Sequence, residues 1–385
     1  MIDRSTPSQP QTFHVLMTAD AVGGVWTYAL ALASVLRGAR VRFTLAVMGP
    51  LPSPKAVHEA EALLNVTVNA RAYRLEWMPD ADGDVDASGR WLMRLAERIQ
   101  PDLVHINGYA HASLPFDQPV LTVAHSCVRS WWRAVKRDAA PAKWNDYSRR
   151  VREGLDASTM VVAPSRAMAN ALRHEYAFSG DVSVIPNGLP ALASRSGTQA
   201  KEPIVFTAGR FWDAAKNLEM LEKIAPQLPW VVLAAGSLDT PDGRMRVPRQ
   251  VRHVGHLDRV GVAKWMSRAA IYAHPARYEP FGLSVLEAAQ AGCALVLGDI
   301  PSLREIWRDA AVYVDPTDHT SLREAIRQLA SDEPLRSRLA LAARARAAYF
   351  SDVRMGHAYL ALYRHMAMTN SRATTSSQKA VSCVL

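Results

Sequence analysis

Cysteine is scarce in this chain. Its three thiols, Cys127, Cys293 and Cys383, stand far apart in 385 residues. Such spacing excludes a disulfide framework and a thiolate zinc site and fits a reducing compartment. No uninterrupted apolar run reaches the roughly 18 residues that a membrane-spanning helix needs. Met1 to Gln11 is polar, with no basic start leading into an apolar stretch, so no signal peptide is expected. Cys383 lies third from the end, one place too late for a prenylation box. With 20 glycines and 23 prolines and no repeat, collagen-like and low-complexity readings fall away. The charge excess is small, 45 Lys+Arg against 36 Asp+Glu, a formal +9, and no recognition motif accompanies it. Nucleic acid is therefore not an expected partner. The expected location is the cytoplasm, with peripheral contact at the inner membrane left open.

What remains is a globular composition, 49% hydrophobic and 21% charged. At about 150 residues per domain, the length gives two domains as the first reading. Phe13 to Thr18 is a short apolar run, followed by Asp20-Ala-Val-Gly-Gly24, a helical stretch from Val25 to Leu36, and a second apolar run from Arg42 to Met48. Strand, glycine turn, helix, strand is a βαβ pattern and implies a parallel sheet covered by helices. Leu103 to Ile106, Val120 to Ala124, Met160 to Ala163 and Val182 to Ile185 repeat the strand signature, with helices over Gly89 to Ile99 and Arg166 to Glu175. A polar stretch, Ala191 to Glu202, reads as a linker.

A second α/β series follows, with strands at Ile204 to Thr207, Trp230 to Ala235, Ala270 to Ala273, Ala294 to Leu297 and Ala311 to Val314. Helices fit Asn217 to Ala225, Arg259 to Arg268, Leu283 to Ala291, Ser321 to Leu329, Leu335 to Ala348 and Asp352 to Met366, before a Ser/Thr-rich tail expected to fray. The fold expected is therefore two open α/β domains, with ligands beyond the carboxyl ends of the strands and a cleft between the halves.

Four features carry chemistry. Gly23-Gly24 after a buried strand allows a tight turn and a helix start that offers N–H groups to an anion, although a purely structural turn fits equally. The spacing does not match G-x-G-x-x-G, so the dinucleotide fingerprint is absent. Arg210 stands at a strand end and Lys216 just before the next helix; two such cations suit a diphosphate, or are simply solvated. Glu279-Pro-Phe-Gly-Leu-Ser-Val-Leu-Glu287 is the sharpest signal. Pro280 stiffens the turn, Gly282 admits the chain into a helix, and the amides near Gly282 to Ser284 can meet a phosphate. The two carboxylates, eight residues apart, suit different parts of one extended ligand, because carboxylates accept hydrogen bonds from paired hydroxyls. His125 follows a strand at its carboxyl end, a position that favours a ligand role over a core role.

In that setting Glu279 and Glu287 resemble the E-x7-E motif of the retaining glycosyltransferases of family 4, which share the GT-B architecture of two facing Rossmann-like domains. The resemblance extends over nearly the whole chain. Gly23-Gly24 is similar to the family's glycine loop at the donor diphosphate. Ala163-Pro-Ser165 is similar to the family stretch entering a late helix of the first domain, and Ile185-Pro-Asn-Gly188 to the element closing that domain. Gly209-Arg210 and Lys216-Asn217 resemble its diphosphate-binding arginine and lysine. Ala291 to Val296 and Pro301 to Glu305 resemble the strand and helix that follow. Many family members read N-G-[VI]-D where this chain has Asn187-Gly188-Leu189-Pro190.

The resemblance implies a first domain over residues 1–188, a nucleotide-sugar-binding domain over 203–351, and a last helix, 352–366, packed back on the first. It implies that Glu279 holds hydroxyls of the donor sugar and Glu287 the ribose. Backbone amides around Phe281, Gly282, Leu283 and Ser284 hold sugar and phosphate oxygens, and His125 orients the transferred sugar. Arg210, Lys216 and the glycine-loop amides stabilise the leaving phosphate. The implied reaction transfers a hexose with retention to a hydroxyl of a glycan, lipid-linked or small-molecule acceptor. The donor favoured is UDP-glucose-like, with GDP-mannose open. No cofactor and no metal are expected, since no D-x-D or His/Asp cluster is evident. Alternatives are a nucleotide-sugar 2-epimerase and a catalytically inactive sugar-nucleotide-binding protein.

From Arg129 to Arg152 eight Lys/Arg stand against two acids, interleaved with Trp131, Trp132, Trp144 and Tyr147. Three readings compete: an acceptor pocket, contact with an anionic membrane, and aromatic side chains packed into the domain beneath a solvated surface.

Overall fold

The computed structural model of the chain describes residues 12–21, 23–191, 200–239 and 247–382. Met1 to Gln11, Cys383 and most of the expected linker, residues 192–199, lie outside the described residues.

Thirteen strands form two sheets among these residues. The first contains β1 (Phe13–Asp20), β2 (Val41–Met48), β3 (Val66–Ala70), β4 (Leu103–Ile106), β5 (Val120–Val123), β6 (Met160–Ala163) and β7 (Val182–Val184), in the order β3-β2-β1-β4-β5-β6-β7. The second contains β8 (Glu202–Ala208), β9 (Val231–Ala235), β10 (Arg252–His253), β11 (Ala269–His274), β12 (Ala294–Gly298) and β13 (Val312–Val314), in the order β10-β9-β8-β11-β12-β13. Pairings on either side of β1 and of β8 are parallel. The strand order reverses between β1 and β4 and again between β8 and β11. In open α/β sheets those switch points are where ligands collect, beyond the carboxyl ends.

Compactness divides the chain into unit 1 (Met1–Val123, Arg149–Val161, Gly356–Leu385) and unit 2 (Ala124–Ser148, Val162–Met355). This division does not fall at residue 188. In unit 1, Leu16, Ala46 and Met48 of the sheet pack on Leu92, Leu95 and Ala96 of the helix Asp82–Ile99. Tyr359 and Tyr363 of the last helix belong to the same unit. Tyr363 Oη lies 2.7 Å from His105 Nδ1, and the Tyr359 ring meets Tyr28 edge-on at 5.8 Å. In unit 2, Val205, Val232, Ile271 and Val296 form a core with Leu221, Leu322 and Ile326. Buried on both faces, these strands read as continuous apolar runs.

The expected boundaries need correction in places. The last helix does not stop at Met366 but runs from Asp352 to Ser382, because extending an established helix costs far less than starting one. The helix expected from Gly89 begins at Asp82. Its Asp82-Gly-Asp start has turn-like composition, yet places Asp82 and Asp84 in the first turn, where the helix dipole favours acids. The helix Pro54–Glu61 and the strands β3 and β10 carry no sequence signal that marked them, whereas the helix Pro301–Trp307 begins where the resemblance places one. No described helix is long and apolar enough to cross a membrane.

Candidate active site

The loop after β8 is built on a close backbone approach. A Cβ on Gly236 would lie 1.9 Å from the carbonyl oxygen of Gly209, so only glycine fits there, at φ +141°. Asp213 Oδ1 accepts the Ala215 N–H at 2.9 Å and closes the short turn Ala214–Lys216. Asn217 follows in the left-handed region, at φ 57°. Its Nδ2 donates to the carbonyls of Pro275 (2.8 Å) and Pro316 (2.9 Å). The Arg277 N–H also reaches the carbonyl of Ala215 at 2.9 Å. These bonds seat the Lys216 turn against the loop after β11.

The result is a close pair. Lys216 Nζ lies 2.7 Å from Glu279 Oε2, both side chains largely buried, and His274 Nε2 lies 3.2 Å from the same oxygen. Burial alone would raise the Glu279 carboxyl, but Lys216 and His274 outweigh it and hold it well below the usual carboxylate range. Ser302 Oγ donates to the Glu279 carbonyl and fixes the loop backbone. Gly282, at φ 89°, then starts the helix Leu283–Gln290 with no side-chain cap. The first helical bond closes from Leu286 to Gly282, so the amides of Leu283 to Val285 have no partner within the helix.

Other expected residues fall differently. Glu287 is paired with Arg259 at 3.3 Å, and burial, partly offset by Arg259, raises its pKa. The Phe281 side chain is 3% exposed and packs edge-on against Phe350 at 5.5 Å, so only its backbone remains for a ligand. Arg210 lies over the Trp212 ring at 5.5 Å and has no carboxylate partner among the described residues. His125 is half-buried in unit 2, and burial lowers its pKa to about 4, leaving a neutral imidazole at physiological pH. Gly23 and Gly24 stand at the start of the helix Gly24–Leu36 in unit 1, again with no side-chain cap.

His274 and Asn217 complete the site, although neither was singled out as a functional residue. His274 ends β11 as His125 follows β5, so the same strand-end argument would have found it. The segment from Arg129 to Arg152 is largely internally engaged. Arg133 pairs with Glu175, Arg149 with Glu153 and Arg150 with Asp86, while Arg129 lies over Tyr176 and Lys136 over Trp131. Trp131, Trp132 and Trp144 are half-buried.

Comparison with known proteins follows the same geometry. Residues 22–191 match the family model described as Glycosyltransferase Family 4, and residues 191–346 the model described as Glycosyl transferases group 1. The glycogen synthase of Mycobacterium tuberculosis is 30% identical over 277 residues, 64% of this chain and 64% of that protein, so the chain spans less than two thirds of this relative's length. A D-inositol 3-phosphate glycosyltransferase of Xylanimonas cellulosilytica is 28% identical over 393 aligned positions, 90% of this chain and 92% of the relative. The solved sucrose-phosphate synthase of Thermosynechococcus elongatus superposes with a TM-score of 0.73 at 19% identity, over 92% of this chain and 99% of that one. The chain belongs to the family 4 glycosyltransferases and has their GT-B fold, built from two Rossmann-like α/β domains.

Proposed function

We propose that this chain is a retaining hexosyltransferase that takes its sugar from a nucleotide diphosphate donor, UDP-glucose or a similar UDP-hexose first and GDP-mannose second. The acceptor is a hydroxyl of a glycan, a lipid-linked sugar or a small molecule. The domains it uses are residues 1–188 and 203–351. The free, buried thiols of Cys127 and Cys293 are in keeping with a cytoplasmic setting.

The observation that carries this reading is the Lys216–Glu279 pair beside the glycine-started helix Leu283–Gln290, at the carboxyl end of the sheet where its strand order reverses. Breaking the bond between sugar and diphosphate leaves an oxocarbenium-like carbon and adds negative charge to the departing phosphate. Lys216, Arg210 and the amides of Leu283 and Ser284 form a preorganised set of positive groups for that charge. The amides of Gly23 and Gly24 belong to a second uncapped helix start of the kind that accepts phosphate oxygens. Glu279, ionised throughout the working pH range, accepts sugar hydroxyls and fixes the anomeric carbon. The neutral His125 supplies an N–H for a sugar oxygen. The departing phosphate takes the acceptor's proton, so no enzyme base is needed and the acceptor enters on the face the leaving group vacates.

A thermal-shift panel of UDP, GDP, ADP and their sugars tests the donor class, because the matching nucleotide stabilises the fold by mass action. Product analysis after incubation with the matching sugar nucleotide tests the reaction. Sugar released or transferred with its configuration kept is the expected result. An isomerised sugar still attached to the nucleotide, or an untouched donor, overturns it.

A further inference from the structure

Three hydrogen bonds run from the start of the helix Val128–Lys136 to the two loops just described. The indole N–H of Trp131 donates to Asp213 Oδ1 at 2.9 Å, the same oxygen that holds the Lys216 turn through Ala215. Tyr278 Oη accepts the Cys127 N–H at 3.2 Å and hydrogen-bonds Ser130 Oγ at 2.8 Å. Ser130 Oγ also donates to the Cys127 carbonyl at 3.1 Å, so the phenol proton points to Ser130 Oγ, with Met168 Sδ at 3.7 Å as a weaker second acceptor. Tyr278 directly precedes Glu279, and Cys127 comes two residues after His125. One short helix start is therefore tied to the Lys216 turn on one side and to the Glu279 loop on the other.

Packing alone does not call for this arrangement. A buried phenylalanine would fill the place of Tyr278 without needing two polar partners, and an unpaired buried hydroxyl is costly. Burial raises the Tyr278 pKa, so the group stays a phenol and keeps both bonds at any working pH. Trp131 is likewise spoken for: its polar edge points to Asp213, not to an acceptor or a lipid headgroup.

We propose that Tyr278 and Trp131 are positioning residues, which touch no substrate but brace the His125 turn against the loops carrying Glu279 and Lys216 and so set the geometry of the donor-sugar site. This rests on the function proposed above.

The test uses the full chain with Tyr278→Phe, Ser130→Ala, their double variant and Trp131→Phe. Two quantities are measured: turnover, with water as acceptor, of whichever of UDP-glucose, ADP-glucose and GDP-mannose the wild type consumes, and calorimetric affinity for the corresponding nucleoside diphosphate. Loss of the hydrogen bonds to Cys127 and Ser130 predicts a fall in kcat of about fivefold to tenfold for Tyr278→Phe, with nucleotide affinity changed by about twofold at most. Ser130→Ala, which keeps the Cys127–Tyr278 bond, should fall by no more than Tyr278→Phe, and the double variant no further than Tyr278→Phe alone, since that variant already lacks the Ser130–Tyr278 bond. Trp131→Phe should lower kcat by about fivefold and leave a folded protein. Wild-type kcat in Tyr278→Phe, or effects that multiply in the double variant, would overturn the proposal. If Tyr278→Phe does not fold, unchanged kcat in both Ser130→Ala and Trp131→Phe would do the same. A wild type that consumes none of the three donors overturns the proposed function instead, a separate outcome.

Discussion

Lys216→Met tests the central pair through stability as well as turnover. The substitution keeps the length of the side chain and removes its charge, which leaves the Glu279 carboxylate buried with His274 alone at 3.2 Å. Breaking a buried pair by removing one partner costs about 3–5 kcal/mol, and the remaining histidine places this case near 3. For a domain of this size that lowers Tm by about 6–12 °C at pH 7.5. The pH dependence carries the sharper information. In the wild type the folded pKa of Glu279 is depressed, so its stabilisation is present above the ordinary value of 4.5 and is lost only as pH falls through the depressed value. Without Lys216 burial dominates and the folded pKa rises above the ordinary value. The sign then reverses: stability is fullest below about pH 4.5 and is lost as pH rises through the raised value. The deficit of the variant should therefore shrink between pH 7.5 and pH 5, by about 1.4 kcal/mol for each unit by which the raised value stands above pH 5. Thermal unfolding of both proteins at the two pH values measures this. Adding Glu279→Gln should restore most of the lost stability while donor turnover stays abolished. An equal deficit at pH 5 and pH 7.5, or a loss below about 1 kcal/mol, would refute the account of the pair.

Three further substitutions separate binding, chemistry and backbone. Arg210→Ala removes a cation with no carboxylate partner among the described residues, so stability should hold within about 0.5 kcal/mol while donor turnover falls about 100-fold or more; thermal unfolding and steady-state kinetics read the two effects. Glu287→Gln should weaken nucleotide affinity about tenfold by calorimetry and lower kcat less. In the wild type, nucleotide binding near the raised Glu287 pKa should release protons, seen as a buffer-dependent binding enthalpy that the variant lacks. Gly282→Ala forces a side chain into the left-handed region and places its Cβ 3.1 Å from Val285 Cγ2. It should cost about 1–2 kcal/mol and reduce turnover by displacing the helix start.

The elements legible in the sequence are those whose signal is local. β4 and β6 and the helix Arg259–Arg268 fall where their apolar runs and caps place them, and the Pro-Phe-Gly turn marks the start of the helix Leu283–Gln290. β10 is two residues long and carries no apolar run, and β3 alternates too briefly to stand out. The site divides in the same way. Strand ends and helix starts pointed to Arg210, Lys216, Glu279 and Glu287 one at a time. Which of them meet is decided by chain segments far apart, and spacing in a sequence holds no trace of that. Lys216 reaches Glu279 across 63 positions and Trp131 reaches Asp213 across 82. From sequence Trp131 leaves three readings open, acceptor pocket, membrane contact or packed aromatic, while its indole bond ties it to Asp213 in the loop that carries Lys216. Phe281 shows the reverse: a motif position that resembles a ligand contact but whose ring belongs to the core with Phe350.

Glu279 and Glu287 are driven in opposite directions by their surroundings, and a pair of carboxylates pushed apart is often an acid and a nucleophile. The partners argue otherwise here. An acid or base needs a pKa near the working range, whereas Lys216 and His274 on Oε2 hold the Glu279 carboxyl far below it, which makes it a poor base as well as a poor proton donor. Its use is as a fixed acceptor beside a cation, where a sugar hydroxyl can join without any proton changing hands. Glu287 is raised because burial outweighs a single arginine that is itself 57% exposed. Vicinal hydroxyls donating to it would favour the charged form and pull the pKa back down. An acid catalyst would have to keep its proton when the nucleotide arrives, and a ribose clamp must lose it, so proton release on nucleotide binding decides between the two. In the proposed function both carboxylates hold the donor, and the reaction's one mobile proton passes from acceptor to departing phosphate. On that proposal the protein's part in the chemistry is to fix charge and distance, through Lys216, Arg210 and the helix start after Gly282.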